Sequence, residues 1–291
     1  MMAKPNASVF VLMGQSNAVG YATRMTENDK MITPLKNVYG LTRTHNLSYD
    51  NQELVWTGYT SHDTILGEEN DHTYSVANCL ARFWQDAIDG GADLPDLYII
   101  NIAIGAQGVT SKYMWHPKRE PVLVPGALGT VNISLCSFTA HIFSLLRKSF
   151  EAMGKTYEII GLHWRGGEND YCEEEAEVRP VLKGIYQELF QIFYDNLGEV
   201  PPIILHRIVT EDCVKVDTTG TRLRLLHFIN GIFEELEREN ENISIFDVRE
   251  APHCAPTEPG RGLFIEDLVH FTPKTNQWVA HQILEKEINR T

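Results

Sequence analysis

Cysteine is scarce in this 291-residue sequence, and the five present (Cys79, Cys136, Cys172, Cys213 and Cys254) are odd in number, widely spaced and free of any Cys-x-x-Cys pair. That indicates neither a disulfide framework nor a zinc cluster, and leaves five reduced, mostly buried thiols as the expectation. No run approaches the roughly 18 apolar residues that a bilayer-spanning helix requires. Met1 to Asn6 lead straight into the strand-like Val9-Phe10-Val11-Leu12, without the apolar stretch and small-residue cleavage site of a secretory signal. A soluble protein is expected, with the cytoplasm favoured. Positive charge is also short: 25 Lys and Arg face 39 Asp and Glu, a net charge of −14. Such a balance opposes approach to phosphate backbones and anionic lipid, so neither nucleic acid nor a membrane is an expected partner. Repeats, low-complexity tracts and linker-like stretches are absent too, which favours a single domain over residues 1–291.

What is present is an alternation. Short apolar runs near 8–13, 97–104, 157–164, 202–209 and 243–248 read as strands, and the segments near 74–88, 132–152, 176–197, 220–240 and 274–288 read as helices. Alternation of this kind predicts an α/β fold, a three-layer α/β/α sandwich around a mostly parallel central sheet. In the third helical segment Leu182, Ile185, Leu189 and Phe193 recur at three- and four-residue steps, one apolar stripe able to pack on that sheet. Two long stretches, 21–73 and 108–129, are polar and aromatic without a clear period. In an open α/β sheet ligands bind where the loops gather, at the carboxyl ends of the strands, so the chemistry is expected there.

The first strand ends in Gly14-Gln15-Ser16-Asn17-Ala18-Val19-Gly20. Ser16 therefore falls at a strand-to-helix turn, where glycine permits a tight backbone and the first helical amides face any oxyanion formed beside the serine. The Gly-x-Ser-x-Gly elbow is not matched, because position 18 is alanine. A plainer reading is that Ser16 or Asn17 only caps the helix that follows. A serine nucleophile also needs a base and an acid to orient that base. An acid three positions before a histidine occurs at Glu69/His72, Glu250/His253 and Asp267/His270. The last pair lies in Asp267-Leu268-Val269-His270-Phe271-Thr272-Pro273, just before the final helical segment, where a loop can return beside the first strand.

The Gly14-Gln15-Ser16-Asn17-x-x-Gly20 string resembles the first block of the SGNH hydrolase superfamily, in its sialate O-acetylesterase and carbohydrate esterase family 6 (acetylxylan esterase-like) branch. Asp267 to His270 resembles the closing Asp-x-x-His block. The strand end Gly105-Ala106-Gln107-Gly108 resembles the second, with Trp115 downstream and Ala106 where a second glycine is common. Trp164-Arg165-Gly166-Gly167-Glu168-Asn169-Asp170 is similar to the third, but arginine and glycine replace its usual histidine and glutamine. The resemblance implies a flavodoxin-like SGNH fold and an acetylesterase acting on an acetylated carbohydrate without metal or organic cofactor. It implies Ser16 as nucleophile, His270 as base, and Asp267 or Glu168 as the orienting acid. Oxyanion donors are then expected from Ser16 and Gly105, and, since Gly166 has no side chain to offer, from Asn169, Gln15 or a backbone amide. Arg165 has two readings, a structural arginine paired with Glu168 or Asp170, or a clamp for the carboxylate of a sialic or uronic acid. Trp115, Trp164 and Tyr21 are expected beside the substrate, where aromatic faces stack on sugar rings. Two other functions stay open, a lipase or thioesterase on the same fold and a glycan-binding protein with weakened catalysis, as does assembly into a homo-oligomer.

Overall fold

Eight consecutive apolar or small residues, Ala7–Gly14, form β1, and every one of them is buried, as a strand covered on both faces of a parallel sheet must be. The computed structural model describes residues 5–21, 23–61, 73–126, 129–172, 174–209 and 220–290. After β1 come α1 (Ser16–Val19), β2 (Val38–Leu41), α2 (Arg43–Asn46), β3 (Trp56–Gly58), α3 (Val76–Asp89) and β4 (Asp96–Ala103). The middle of the chain holds β5 (Val122–Gly126), β6 (Gly129–Ile133), α4 (Leu135–Ala152), β7 (Tyr157–Arg165), α5 (Glu175–Val178) and α6 (Leu182–Leu197). The last part adds β8 (Ile203–His206), α7 (Thr221–Glu239), β9 (Ile243–Phe246) and α8 (Pro273–Ile288).

Seven strands make one sheet in the order β3-β2-β4-β1-β7-β8-β9. All neighbours run parallel except β2 and β3, which pair antiparallel at one edge. Because successive side chains on a strand point to opposite faces, β1 feeds two cores. Val9, Val11 and Met13 join Phe143, Phe193 and Phe233 from α4, α6 and α7, whereas Phe10 and Leu12 join Leu80, Trp84 and Val279 from α3 and α8. The result is the expected three-layer α/β/α sandwich. Among the described residues no helix is long and apolar enough to cross a membrane.

Several elements differ from the sequence reading. The helix expected over 176–197 is broken: α5 stops at Val178 and α6 starts at Leu182, with Pro180 between them removing a backbone amide from the helical ladder. The run 202–209 is a strand only to His206. Beyond it the Asn230 side chain on α7 takes the place of a neighbouring strand, accepting from the Ile208 amide at 3.0 Å and donating to its carbonyl at 2.8 Å. Both long stretches read as loops contain strands: β2 and β3 in the first, and in the second β5, whose hairpin partner β6 starts at the last residue of that stretch. Cys79 and Cys136 are buried free thiols and Cys254 is partly buried, while the side chains of Cys172 and Cys213 lie outside the described residues.

Candidate active site

From Ala7 to Gly20, Ser16 is the one residue that is not buried. Glycines on either side make this possible. Gly14 has φ +137°, and a Cβ there would stand 2.0 Å from the Arg165 carbonyl of the neighbouring strand β7. Gly20 closes α1 in the left-handed region at φ +78°, where a Cβ would meet the Ser75 nitrogen at 2.4 Å. No other residue type fits either place without moving backbone. Gln15 is the residue before the helix and makes no side-chain cap, so neither Ser16 nor Asn17 serves as a helix cap. Ser16 is thus partly exposed at the carboxyl end of the central strand.

The side chain of Asn17 goes elsewhere. Its Nδ2 donates to the Val269 carbonyl at 3.1 Å, and its Oδ1 accepts from the Phe271 amide at 3.2 Å. Those two residues flank His270. The amide beside Ser16 thus clamps the histidine loop against the serine turn from both sides. Within that loop His270 Nδ1 lies 2.6 Å from Asp267 Oδ2, while Asp267 Oδ1 accepts from the amides of Val269 and His270 at 2.8 and 2.9 Å. Burial works to raise the Asp267 carboxyl, yet the hydrogen bonds from His270 and Val269 outweigh it and hold the group below its usual range. Leu268, between acid and base, is in the left-handed region at φ +60°, which folds the loop tightly enough for one short segment to present both groups.

Glu168 contacts the serine turn rather than the histidine. Its carboxylate accepts from Gln15 Nε2 at 2.7 Å and Asn17 Nδ2 at 3.3 Å. Gln15 is buried, with its side-chain nitrogen donating to that carboxylate. Gly105 stands close: a Cβ on it would lie 3.9 Å from Ser16 Cβ. Asn169, next to Glu168 in sequence, is half-buried, and its carbonyl accepts from Tyr113 Oη at 3.2 Å. Asp170, fully buried, holds the loop after Gly105 by accepting from the amides of Val109 and Thr110. Of the other histidine pairs, His253 Nε2 is 3.1 Å from Thr275 Oγ1 at the start of α8, and Glu69/His72 lies outside the described residues.

Three residues expected at the substrate are in the core instead. Trp115 and Trp164 are both fully buried and pack edge-on, ring centroids 5.0 Å apart. The Trp115 Nε1 donates to the Gly14 carbonyl at 2.8 Å, so its indole props the strand end from beneath. Arg165 is 2% exposed, out of reach of a substrate carboxylate, and its hydrogen bonds go neither to Glu168 nor to Asp170. Its Nη1 donates to the Asn17 carbonyl at 3.1 Å and to Asn276 Oδ1 on α8 at 3.0 Å, and its guanidinium lies 4.7 Å from the Phe271 ring. Burial pushes this guanidinium down to about 10, against the pull of the Glu168 charge, so it remains a cation at neutral pH. It ties the serine turn, the histidine loop and α8 together. Tyr21, by contrast, is 41% exposed, with its ring 5.4 Å from the His270 ring.

No protein-family model matches the sequence, and no curated protein sequence matches it. Solved structures do share the fold. NanS superposes with a TM-score of 0.61 at 13% identity, over 99% of this chain and 98% of that one. A protein of Arabidopsis thaliana gives 0.58 at 15% identity, over 98% and 99% of the two chains. A carbohydrate acetylesterase from Xanthomonas citri gives 0.52 at 10% identity, over 97% of this chain and 57% of that one. The fold is the one the resemblance to SGNH hydrolases implied.

Proposed function

We propose that this chain is a serine esterase that removes acetyl groups from a carbohydrate, with Ser16 as nucleophile, His270 as base and Asp267 as the acid that orients it. One observation carries the reading: Asn17, next to Ser16, is hydrogen bonded on both sides of His270, and Asp267 engages His270 Nδ1. With Nδ1–H donating to the carboxylate, Nε2 is the ring nitrogen left to take the Ser16 proton. Ser16 Oγ then attacks the acetyl carbonyl, and the backbone amides of Ser16 and Gly105, with Asn169 alongside, receive the developing oxyanion. His270 returns its proton to the departing sugar hydroxyl, leaving an acetyl-enzyme. Water, losing a proton to the same Nε2, attacks that ester; the bond to Ser16 Oγ breaks as His270 returns the proton to it, and acetate leaves.

The carbohydrate is supported by Tyr21, whose exposed ring beside His270 offers a face to a sugar ring, and by the shared fold with the Xanthomonas citri carbohydrate acetylesterase. The experiment is acetate release from acetylated oligosaccharides and from p-nitrophenyl acetate by Ser16→Ala and His270→Ala, with circular dichroism to verify the fold. Both variants are expected to lose activity while folded; undiminished release by Ser16→Ala refutes the reading. A p-nitrophenyl octanoate preferred over the acetate would place the chain with lipases.

A further inference from the structure

A groove of about 530 Å³ runs between the 110–118 loop and the 177–188 segment, which carries the end of α5 and the first turns of α6. That is the size range of pockets that hold small ligands. Two links tie it to the nucleophile. Thr110 in its wall is held by Asp170, two residues beyond the Glu168 that grips Gln15 and Asn17. His116, also in the wall, follows Trp115, whose indole is hydrogen bonded to Gly14, two residues before Ser16.

The wall suits hydroxyl groups better than a carboxylate. Thr110 is 6% exposed, and its Oγ1 has no hydrogen-bond partner among the described residues. Glu177 and Glu188 contribute acceptors, His116 and Lys118 donors. The Lys118 ammonium already faces Glu188, 3.5 Å away, so Glu177 leaves the wall with a surplus negative charge. Burial holds His116 below its usual value, which keeps it neutral at pH 7. Arg165, the cation nearest the serine turn by its bonds, is sealed in the core. An acidic sugar entering here meets a wall with surplus negative charge, whose one ammonium already faces Glu188, and desolvating a poorly paired carboxylate is costly. Sugar hydroxyls find both donors and acceptors.

We infer that this groove is an accessory subsite for the chain of a neutral oligosaccharide whose O-acetyl group is presented to Ser16. The last clause rests on the acetylesterase reading; the sugar binding does not. Gly184 tests it, because it stands in the wall and a Cβ there meets nothing within 4 Å, so Gly184→Trp fills the groove without disturbing its base. Calorimetry with unacetylated neutral tetrasaccharides (xylotetraose, cellotetraose, mannotetraose and N-acetylchitotetraose) and with acidic 3′-sialyllactose and tetragalacturonate measures binding without any ester being cleaved. At least one neutral chain is expected to bind, at least about tenfold more weakly to Gly184→Trp, with the acidic ones weaker still. The variant's kcat/KM on p-nitrophenyl acetate should stay within about twofold of the parent. Failure of every neutral chain to bind, equal binding by Gly184→Trp, or tighter binding of an acidic chain overturns the inference. The acetylesterase reading falls separately, if Ser16→Ala still releases acetate.

Discussion

Asn17 is a short polar side chain with both ends of its amide committed to the loop that carries His270, and with Glu168 sharing its nitrogen. Replacing it with alanine leaves the Val269 carbonyl and the Phe271 amide without these bonds, at about 1–3 kcal/mol for each buried group left unpaired. The histidine loop is then free to shift, and a displacement of about 1 Å at a reacting group lowers rate about 100-fold. Asn17→Ala is therefore expected to lower kcat on p-nitrophenyl acetate about 100-fold while circular dichroism shows a folded chain; unchanged kcat would remove Asn17 from the site. The two acids separate in the same assay. Asp267→Ala should lower turnover by about 10³ to 10⁴, the scale of losing the acid of a triad, and Glu168→Ala by less, through the disorder of Gln15 and Asn17. Near-normal turnover in Asp267→Ala together with loss in Glu168→Ala would give the orienting role to Glu168. The proposed nucleophile and the proposed acid–base pair were readable because each lies in a run of a few adjacent residues. Asn17 read only as a helix cap, because its partners are 252 and 254 positions away. Arg165, Trp115 and Trp164 were legible as residue types that bind substrates, but no local pattern told that their side chains turn inward.

The elements bring these residues together through tight turns at strand ends. The turn after β4 holds Ala106 at φ +58°, in the region where an L side chain crowds its own backbone at about 1–2 kcal/mol. Ala106→Gly is expected to stabilise the chain by about 1 kcal/mol, the relief of strain exceeding the added freedom of the unfolded chain; a lower urea midpoint would contradict it. The strands of the sheet centre were legible because β1, β4 and β7 are long and buried on both faces. β2, β3 and the β5–β6 hairpin were not. They are three to five residues long, too short to show a period, and their register comes from partners far along the chain. The reverse error at Ile208 and Val209 has a matching cause. An apolar run looks like a strand wherever it is buried, and only the position of Asn230 shows that a side chain, not a neighbouring strand, meets its backbone.

At the scale of the whole molecule the sheet encloses a titratable pair that no single element explains. His163 on β7 and His206 on β8 are both buried, with Nδ1 and Nε2 3.0 Å apart. Burial, with help from nearby positive charge, pushes His163 down to about 3 and His206 well below the usual histidine range. Folded, both rings are neutral; unfolded, each takes up a proton below about 6.5. The unfolded chain thus binds more protons between about 6.5 and the folded values, and stability falls as pH drops through that window. Each histidine contributes a slope of at most about 1.4 kcal/mol per pH unit. Urea midpoints at pH 7, 5.5 and 4.5 should fall more steeply for the parent than for His163→Gln/His206→Gln; equal slopes would refute the assignment. The sequence by itself determined the fold class, the central strands and the serine and histidine blocks, because hydrophobic period and contiguous motifs are local properties of a chain. Tertiary structure alone decided which acid meets His270, that Arg165 and the two tryptophans are props beneath the site, and that Asn17 joins the two ends of the chain. Those outcomes depend on which side chains converge when strands distant in sequence lie side by side, and on which of them the packing leaves without access to water.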